Sequence, residues 1–395
     1  MVEIKLKKGK EKAVYQRHPW VFSGALDKVK GKPENGDIVR LVDANGDFLA
    51  YGYYNDQSRV AVRLIEWNEE ITIDEAWYEQ KIKTAIAGRA HLLADKDTTA
   101  ARLIFSEADF LPGLIVDRYA DFLSVQILSS GIEKAKDIII AVLVKLLKPK
   151  GIFDRSDATA RTHEGITAEN GLLWGETPEE FIQVKENGIK YHINIAEGQK
   201  SGFYCDQRDN RSILASYTKG KSVLDCFSYS GGFSLNAFAQ GAAEVTSVDS
   251  SALAIETLKQ NIDLNKFDAS KHVAIQSDVN KQLRQFNDEG KKFDVVVLDP
   301  PKYAPSRSAL DRAARAYKDL NRRGLLLLES GGLLATFSCS GAVDIETFKQ
   351  IIAWAALDAG KEVQIIKQFC QPEDHPVRLS FPEGEYLKGL LLRVV

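Results

Sequence analysis

Leu224-Asp225-Cys226-Phe227-Ser228-Tyr229-Ser230-Gly231-Gly232-Phe233-Ser234 is the stretch on which the fold turns. An apolar run ends on an acid, breaks into small residues, and then resumes at helical spacing. Small residues let a backbone approach a ligand at the carboxyl end of a first strand, where open α/β sheets bind. A dinucleotide would ask for Gly-x-Gly-x-x-Gly to hold a pyrophosphate on the helix N-terminus. This loop lacks that pattern, so it predicts a ligand with no phosphate to hold.

Working outward, buried β-type runs at 222–227, 244–249, 272–276, 293–299 and 332–337 alternate with helical stretches. Those stretches lie at about 234–240, 252–265, 279–288 and 309–329. Near-continuous apolar strands spaced by helices predict a parallel sheet covered on both faces. The end differs, because 362–369 and 386–394 are joined by a Pro- and Gly-containing segment without a helix, predicting an antiparallel hairpin. That combination fits the S-adenosylmethionine (SAM) methyltransferase variant of the doubly wound fold. Asp249 ends the second strand, placed for ribose hydroxyls, and Asp278 follows the third, placed for an adenine amino group. A strand-end acid is equally a helix N-cap. Three such acids beside the Gly231 loop are harder to assign to capping alone.

The fourth strand delivers Asp299-Pro300-Pro301-Lys302-Tyr303 and the fifth Ser338-Cys339-Ser340. Neighbouring strands would set Asp299 beside Cys339. C5 of cytosine cannot attack a sulfonium unaided, whereas a thiolate added to C6 makes C5 enamine-like. A carboxylic acid protonating N3 offsets the developing charge, a contribution of about 10²–10⁴-fold. Against this, a lone cysteine at a strand end is more often packing. An Asp-Pro-Pro segment followed by an aromatic residue would instead suggest an exocyclic amine as acceptor, but Lys302 stands in that place. Cys226 reads as core, and no residue is assigned as the base that takes the C5 proton.

Upstream, 20–66 alternates short β-runs with turns, including the hairpin signal Asn45-Gly46, and predicts a small oligonucleotide-binding barrel. Residues 74–94 are helical, strands follow near 113–118 and 122–128, a helix spans 132–147, and 181–195 reads as a hairpin. The first 32 residues carry nine Lys/Arg against Glu3, Glu11 and Asp27, which suits phosphate contacts or simply a solvated surface. No run approaches the roughly 18–20 apolar residues of a membrane span, and no secretory core opens the chain. Four cysteines at no metal-like spacing predict no metal site and a cytoplasmic setting.

Further segments carry a family likeness: His18-Pro19-Trp20-Val21-Phe22-Ser23-Gly24, Gly198-Gln199-Lys200-Ser201-Gly202-Phe203-Tyr204 and Asp206-Gln207-Arg208-Asp209-Asn210-Arg211. With Phe227–Ser234, Asp299-Pro300-Pro301-Lys302 and Phe337-Ser338-Cys339-Ser340-Gly341, the whole chain resembles the ribosomal RNA large-subunit methyltransferase I family. The resemblance implies a PUA domain, SAM as cofactor and 5-methylcytosine formation in 23S rRNA. It implies that Asp225, Phe227, Ser228, Asp249, Asp278 and Asp299 line the SAM pocket. It also implies that Lys200–Arg211 covers the pocket, with Tyr204 and Arg208 as contacts. Broader 5-methylcytosine enzymes often carry a second cysteine where Lys302 stands. Related rRNA enzymes lacking the fifth-strand cysteine modify guanine.

The expected organisation is a PUA-like barrel over 1–72, an α+β connector over 73–190 and a SAM methyltransferase domain over 191–395. Cys339 is the expected nucleophile, with Asp299 beside it. The competing readings are methylation of another base or an exocyclic amine with Cys339 structural, and an RNA-binding assembly factor that keeps SAM for stability. Ribosomal RNA is the expected partner, no membrane is involved, and the sequence does not fix a homodimer.

Overall fold

In Val2–Leu6 the apolar side chains alternate with Glu3 and Lys5, and Ile4 and Leu6 are fully buried. That period of two makes the lysine-rich start a strand instead of a tail. The strand is seen in a computed structural model that describes residues 1–395 except 168–169, 197–201 and 305, and the side chain of 307. The chain divides into two compact units. One comprises 1–184, 193–205 and 373–384, and the other 185–192, 206–372 and 385–395.

The first unit holds two sheets. Its six-stranded sheet runs in the order Trp20–Phe22, Val60–Glu66, Phe48–Tyr54, Ile38–Val42, Val2–Leu6, Leu26–Lys30. Val2–Leu6 pairs parallel with Ile38–Val42, and the remaining pairs are antiparallel. The expected Asn45-Gly46 turn forms, with Asp43 Oδ1 accepting the amides of Asn45, Gly46 and Asp47 at 2.8–2.9 Å. The five-stranded sheet runs Gly171–Gly175, Gly151–Asp154, Phe122–Ile127, Leu114–Tyr119, Ala100–Phe105. Helices Glu75–Ala87 and Lys136–Leu147 contribute Trp77, Ile82, Ile139 and Leu143 to the core over it. Tyr53 and Ile65 of the six-stranded sheet join this same core. Gly131 permits the closest approach, since a Cβ there would lie 2.0 Å from the Tyr53 ring.

The second unit is built on a seven-stranded sheet in the order His272–Gln276, Glu244–Asp249, Ser222–Cys226, Phe293–Leu298, Leu328–Ser338, Lys388–Val394, Val363–Cys370. Counted along the chain these are its third, second, first, fourth, fifth, seventh and sixth strands. The first five are parallel. The last two pair antiparallel, and the seventh inserts between the fifth and sixth. Both faces are covered, so Val295, Val296, Val297 and Leu298 are all fully buried. A helix that the sequence reading does not assign, Ile345–Asp358, is capped by Asp344 and buries Phe348, Ile351, Ile352 and Ala355.

The hairpin Ile182–Glu186/Ile189–Ile193 forms as expected, but its tip belongs with the second unit and not with the middle region. Side chains hold it there. Asn265 Oδ1 accepts from the Lys190 amide at 2.9 Å, and Asn261 Oδ1 from that of His192 at 2.7 Å. Arg211 Nη1 donates to both oxygens of fully buried Glu186 at 2.7 Å. Removing one partner of a buried ion pair strands the other charge, at about 3–5 kcal/mol. Glu186→Ala should lose stability of that order in denaturant titration; a loss under about 1 kcal/mol would contradict the pair's role.

Candidate functional site

The first strand carries Asp225 to the carboxyl edge of the seven-stranded sheet, where it is 1% exposed. Ser234, in helix Gly232–Ala239, donates to Asp225 Oδ2 from its amide at 3.0 Å and its hydroxyl at 2.6 Å. Oδ1 is buried with no hydrogen-bond partner. Burial pushes this carboxyl up to about 7; the Ser234 bonds oppose the shift, and the charges of Asp299 and Asp249 add to it. Behind it Ser234 Oγ contacts Ser247 Oγ at 2.7 Å, which contacts His272 Nε2 at 2.9 Å. Since Ser234 gives its one proton to Asp225, Ser247 donates to Ser234 and His272 must donate from Nε2. Burial lowers His272 to about 4, with Lys259 adding to it, which keeps the ring neutral.

The loop after the strand is strained where it would meet a ligand. Phe227 and Tyr229 hold φ of 62° and 47°, left-handed values that cost non-glycine residues on the order of 1–3 kcal/mol. Four hydrogen bonds impose that shape. The Ser228 amide donates to Val248 O at 3.1 Å and the Gly231 amide to Ser228 O at 2.8 Å. The Tyr229 amide donates to Asp249 Oδ2 at 2.9 Å, and Asn261 Nδ2 to Ser230 O at 3.0 Å. Gly231 has φ 91°, and a Cβ there would lie 2.8 Å from Leu258. Ser228 Oγ is a second buried oxygen without a partner.

The other expected acids are placed differently. Asp249 is buried and also accepts from the Ser251 amide at 2.9 Å. Asp278 is exposed and caps helix Val279–Asp288, accepting from Lys281 N at 2.9 Å. Asp278 thus serves as a helix cap through one oxygen, while no helix begins at Asp225 or Asp249. Asp299, at the end of the fourth strand, accepts from Gln207 Nε2 at 3.0 Å, and Gln207 Oε1 from Asn210 Nδ2 at 2.7 Å. Gln207 lies in the segment expected to cover the pocket, but sequence reasoning gives it no role. Arg208 is buried and donates to Asp209 at 3.2 Å. Tyr204 falls in the first unit, and Lys200 and Ser201 of the expected cover lie outside the described residues.

Cys339 follows the fifth strand and is half-buried between fully buried Ser338 and Ser340. Ser338 Oγ donates to the Tyr317 hydroxyl at 2.9 Å, which lies 3.1 Å from Ser340 Oγ. Ser340 Oγ accepts from the Ala304 amide at 3.1 Å, and Ser340 O from Lys388 Nζ at 3.0 Å. The fourth and fifth strands are parallel neighbours, so Asp299 and Cys339 leave the sheet at the same edge. Lys388 was legible only as a charge inside the apolar run Leu387-Lys388-Gly389-Leu390-Leu391-Leu392. Cys226 is fully buried, and burial drives its thiol upward, as a core cysteine. Three mutually repelling carboxylates around a strained loop suit a cationic ligand, and the thiol beyond them can serve as a nucleophile.

A family described as PUA-like domain matches residues 4–67, and one described as Conserved hypothetical protein 95 matches residues 210–332. Ribosomal RNA large subunit methyltransferase I of Shewanella denitrificans is 46% identical over 394 residues, covering 100% of this chain and 99% of its own. The protein of that name from Aliivibrio fischeri is 45% identical over 395 residues, covering both chains completely. A solved structure of a protein named as a methyltransferase and complexed with SAH superposes with a TM-score of 0.88. It is 22% identical, with both chains covered fully. A protein named as a SAM-dependent methyltransferase from Streptococcus mutans gives 0.86 at 22% identity, also over both full chains. At that identity the likeness shows the fold.

With Asp225 raised from 3.8 to about 7, the unfolded chain loses this proton first as pH rises. Its contribution to stability should therefore decline between about pH 4 and 7 and stay level above that window. Melting temperatures of Asp225→Asn should gain on those of the ligand-free wild type across that window. A difference independent of pH would contradict the shift.

Proposed function

The chain belongs to the ribosomal RNA large subunit methyltransferase I family, and we propose on that premise that it methylates C5 of a cytosine in large-subunit rRNA, using SAM and Cys339. Support for the cofactor comes from the unpartnered oxygens Asp225 Oδ1 and Ser228 Oγ, which suit a ligand carrying an ammonium group and hydrogen-bond donors. Asp249 is placed for its ribose and Asp278 for its adenine, with Phe227 and Gly231 shaping the loop between. The fold's likeness to a structure holding SAH agrees with this. When bound, SAM supplies a methyl group on a sulfonium.

The observation that carries the base assignment is Cys339, half-exposed at the sheet edge beside the strand of Asp299. The Cys339 thiolate adds to C6, its lone pair forming the S–C6 bond. Asp299, in its protonated form, would give a proton to N3, and the C5=C6 pair would become available at C5, which would take the methyl carbon as the S–CH3 bond breaks and its pair stays on the sulfur of the departing SAH. Loss of the C5 proton to a base restores C5=C6, breaks the S–C6 bond and returns Cys339 as thiolate. N3 then returns its proton to Asp299. Methylation of an exocyclic amine would need no such nucleophile.

The PUA-like module supplies exposed Lys7, Lys8, Lys10, Lys12 and Arg17, which suit phosphates of the rRNA. Deleting the module would remove Tyr53 and Ile65 from a shared core, so point changes are the cleaner probe. Lys8→Ala, Lys10→Ala and Lys12→Ala together should weaken rRNA affinity and flatten its salt dependence by up to about 0.9 for each phosphate no longer neutralised. An unchanged salt slope would place RNA elsewhere.

Nucleoside analysis of large-subunit rRNA incubated with enzyme and SAM should show 5-methylcytidine. Cys339→Ala should abolish it while still binding SAM. Methylated guanosine or adenosine, or retained cytosine methylation by folded Cys339→Ala, would overturn the assignment.

A further inference from the structure

Lys388 is a lysine where a sheet has no ordinary use for one. It lies on the seventh strand, its neighbours Leu387, Gly389, Leu390, Leu391 and Leu392 are buried, and Lys388 itself is only 5% exposed. Burying an ammonium is costly unless something compensates it. Among the described residues Nζ donates to the carbonyl oxygen of Ser340, at 3.0 Å. No carboxylate lies within ion-pair distance of it among the described ion pairs. In the antiparallel register Lys388 faces Ser338, and its amine therefore reaches across Cys339 to bind the residue on the far side.

We propose that Lys388 is a positioning residue for Cys339, its ammonium holding the thiolate and its bond to Ser340 O fixing the turn that presents the sulfur. The proposal rests on the reading of Cys339 as nucleophile. A thiolate is the reactive form of cysteine, and a neighbouring cation favours it. Lys388 and Cys339 are close enough to feel each other's charge, as are Tyr317 and Cys339.

Several elements around the pair contribute polar or ionisable groups. Burial holds the Lys388 ammonium below its ordinary range, while Cys339, Glu385 and Asp344 draw it back up and Lys302 pushes it down. Helix Leu310–Leu326 presents Tyr317, whose hydroxyl burial drives upward, so it stays neutral and polar. Asp299 stands at the end of the adjacent fourth strand. Lys388 is thus a buried cation next to the turn that carries Cys339, whereas Lys302 is exposed. Because the seventh strand runs antiparallel beside the fifth, its first residue, Lys388, lies at the edge where the fifth strand ends.

The test is the pH dependence of iodoacetamide alkylation at Cys339, read by peptide mass spectrometry in the full-length protein with Cys370→Ser. The midpoint in the otherwise wild-type protein should lie at or below about 7.5, against about 8.5 for an ordinary thiol. Lys388→Met keeps the stem without the charge and should raise the midpoint by about one pH unit or more. The acid limb of the methylation rate should move up by the same amount. A purely structural lysine would lower activity without moving either pH profile. A wild-type midpoint at the ordinary value overturns the proposal even if Lys388→Met fails to fold. So does a folded Lys388→Met protein with an unmoved midpoint. Methylation by Cys339→Ala would instead defeat the nucleophile reading, whatever the thiol titration shows.

Discussion

Asp225 sits at the end of the central strand with one oxygen satisfied by Ser234 and the other buried and unbonded, and much of the second unit is arranged around it. A desolvated carboxylate is costly to ionise, and the nearby charges of Asp249 and Asp299 make it more so. The relay through Ser234, Ser247 and neutral His272 holds the acid without neutralising it. The loop at Phe227 and Tyr229 adds backbone strain to the same few residues. Strain of this kind persists only where the surrounding structure imposes it, as the loop's hydrogen bonds do here. The same demand extends outward, because Gly232 must lack a side chain to let Arg211 pass, 2.6 Å from where its Cβ would be. Arg211 in turn requires Glu186, and Glu186 is what ties the hairpin tip to this unit.

The reaction edge is set by a second constraint, the insertion of the last strand. It places Lys388 under Ser340, and the hydroxyls of Tyr317, Ser338 and Ser340 hold the backbone on both sides of Cys339. Asp225 and the Cys339 thiol thus lie at one edge of one sheet, with Asp299 on the strand between the first and the fifth.

Much of the second unit was legible because its parallel strands are buried on both faces and read as apolar runs ending in acids. Glu244–Asp249 and His272–Gln276 form over the expected residues, and Phe293–Leu298 ends one residue early. Val2–Leu6 was obscured by Lys5 and the run Lys7, Lys8, Lys10 and Lys12 that follows it, whose charge masks the alternation of Ile4 and Leu6. Helix Ile345–Asp358 has a clear cap at Asp344, but its Ala- and Ile-rich face lies close to the strand runs on either side. The exchange of 185–192, 193–205 and 373–384 between units depends on side-chain contacts far apart in sequence, such as Asn261 with the His192 amide. Local pattern carries no trace of these. Of the site, the acids and Cys339 were readable as strand endings. Gln207 and Lys388 were not, because their roles come from partners 92 and 48 residues away.

The central claim is a covalent bond between Cys339 and C6 of cytosine. Large-subunit rRNA carrying 5-fluorocytosine, incubated with enzyme and SAM, tests it most directly, since fluorine at C5 blocks the final elimination. A stable protein–RNA adduct mapping to the Cys339 peptide, and missing from folded Cys339→Ser, is the result this account predicts. Turnover on that substrate without any adduct, or an adduct that survives Cys339→Ser, would contradict it.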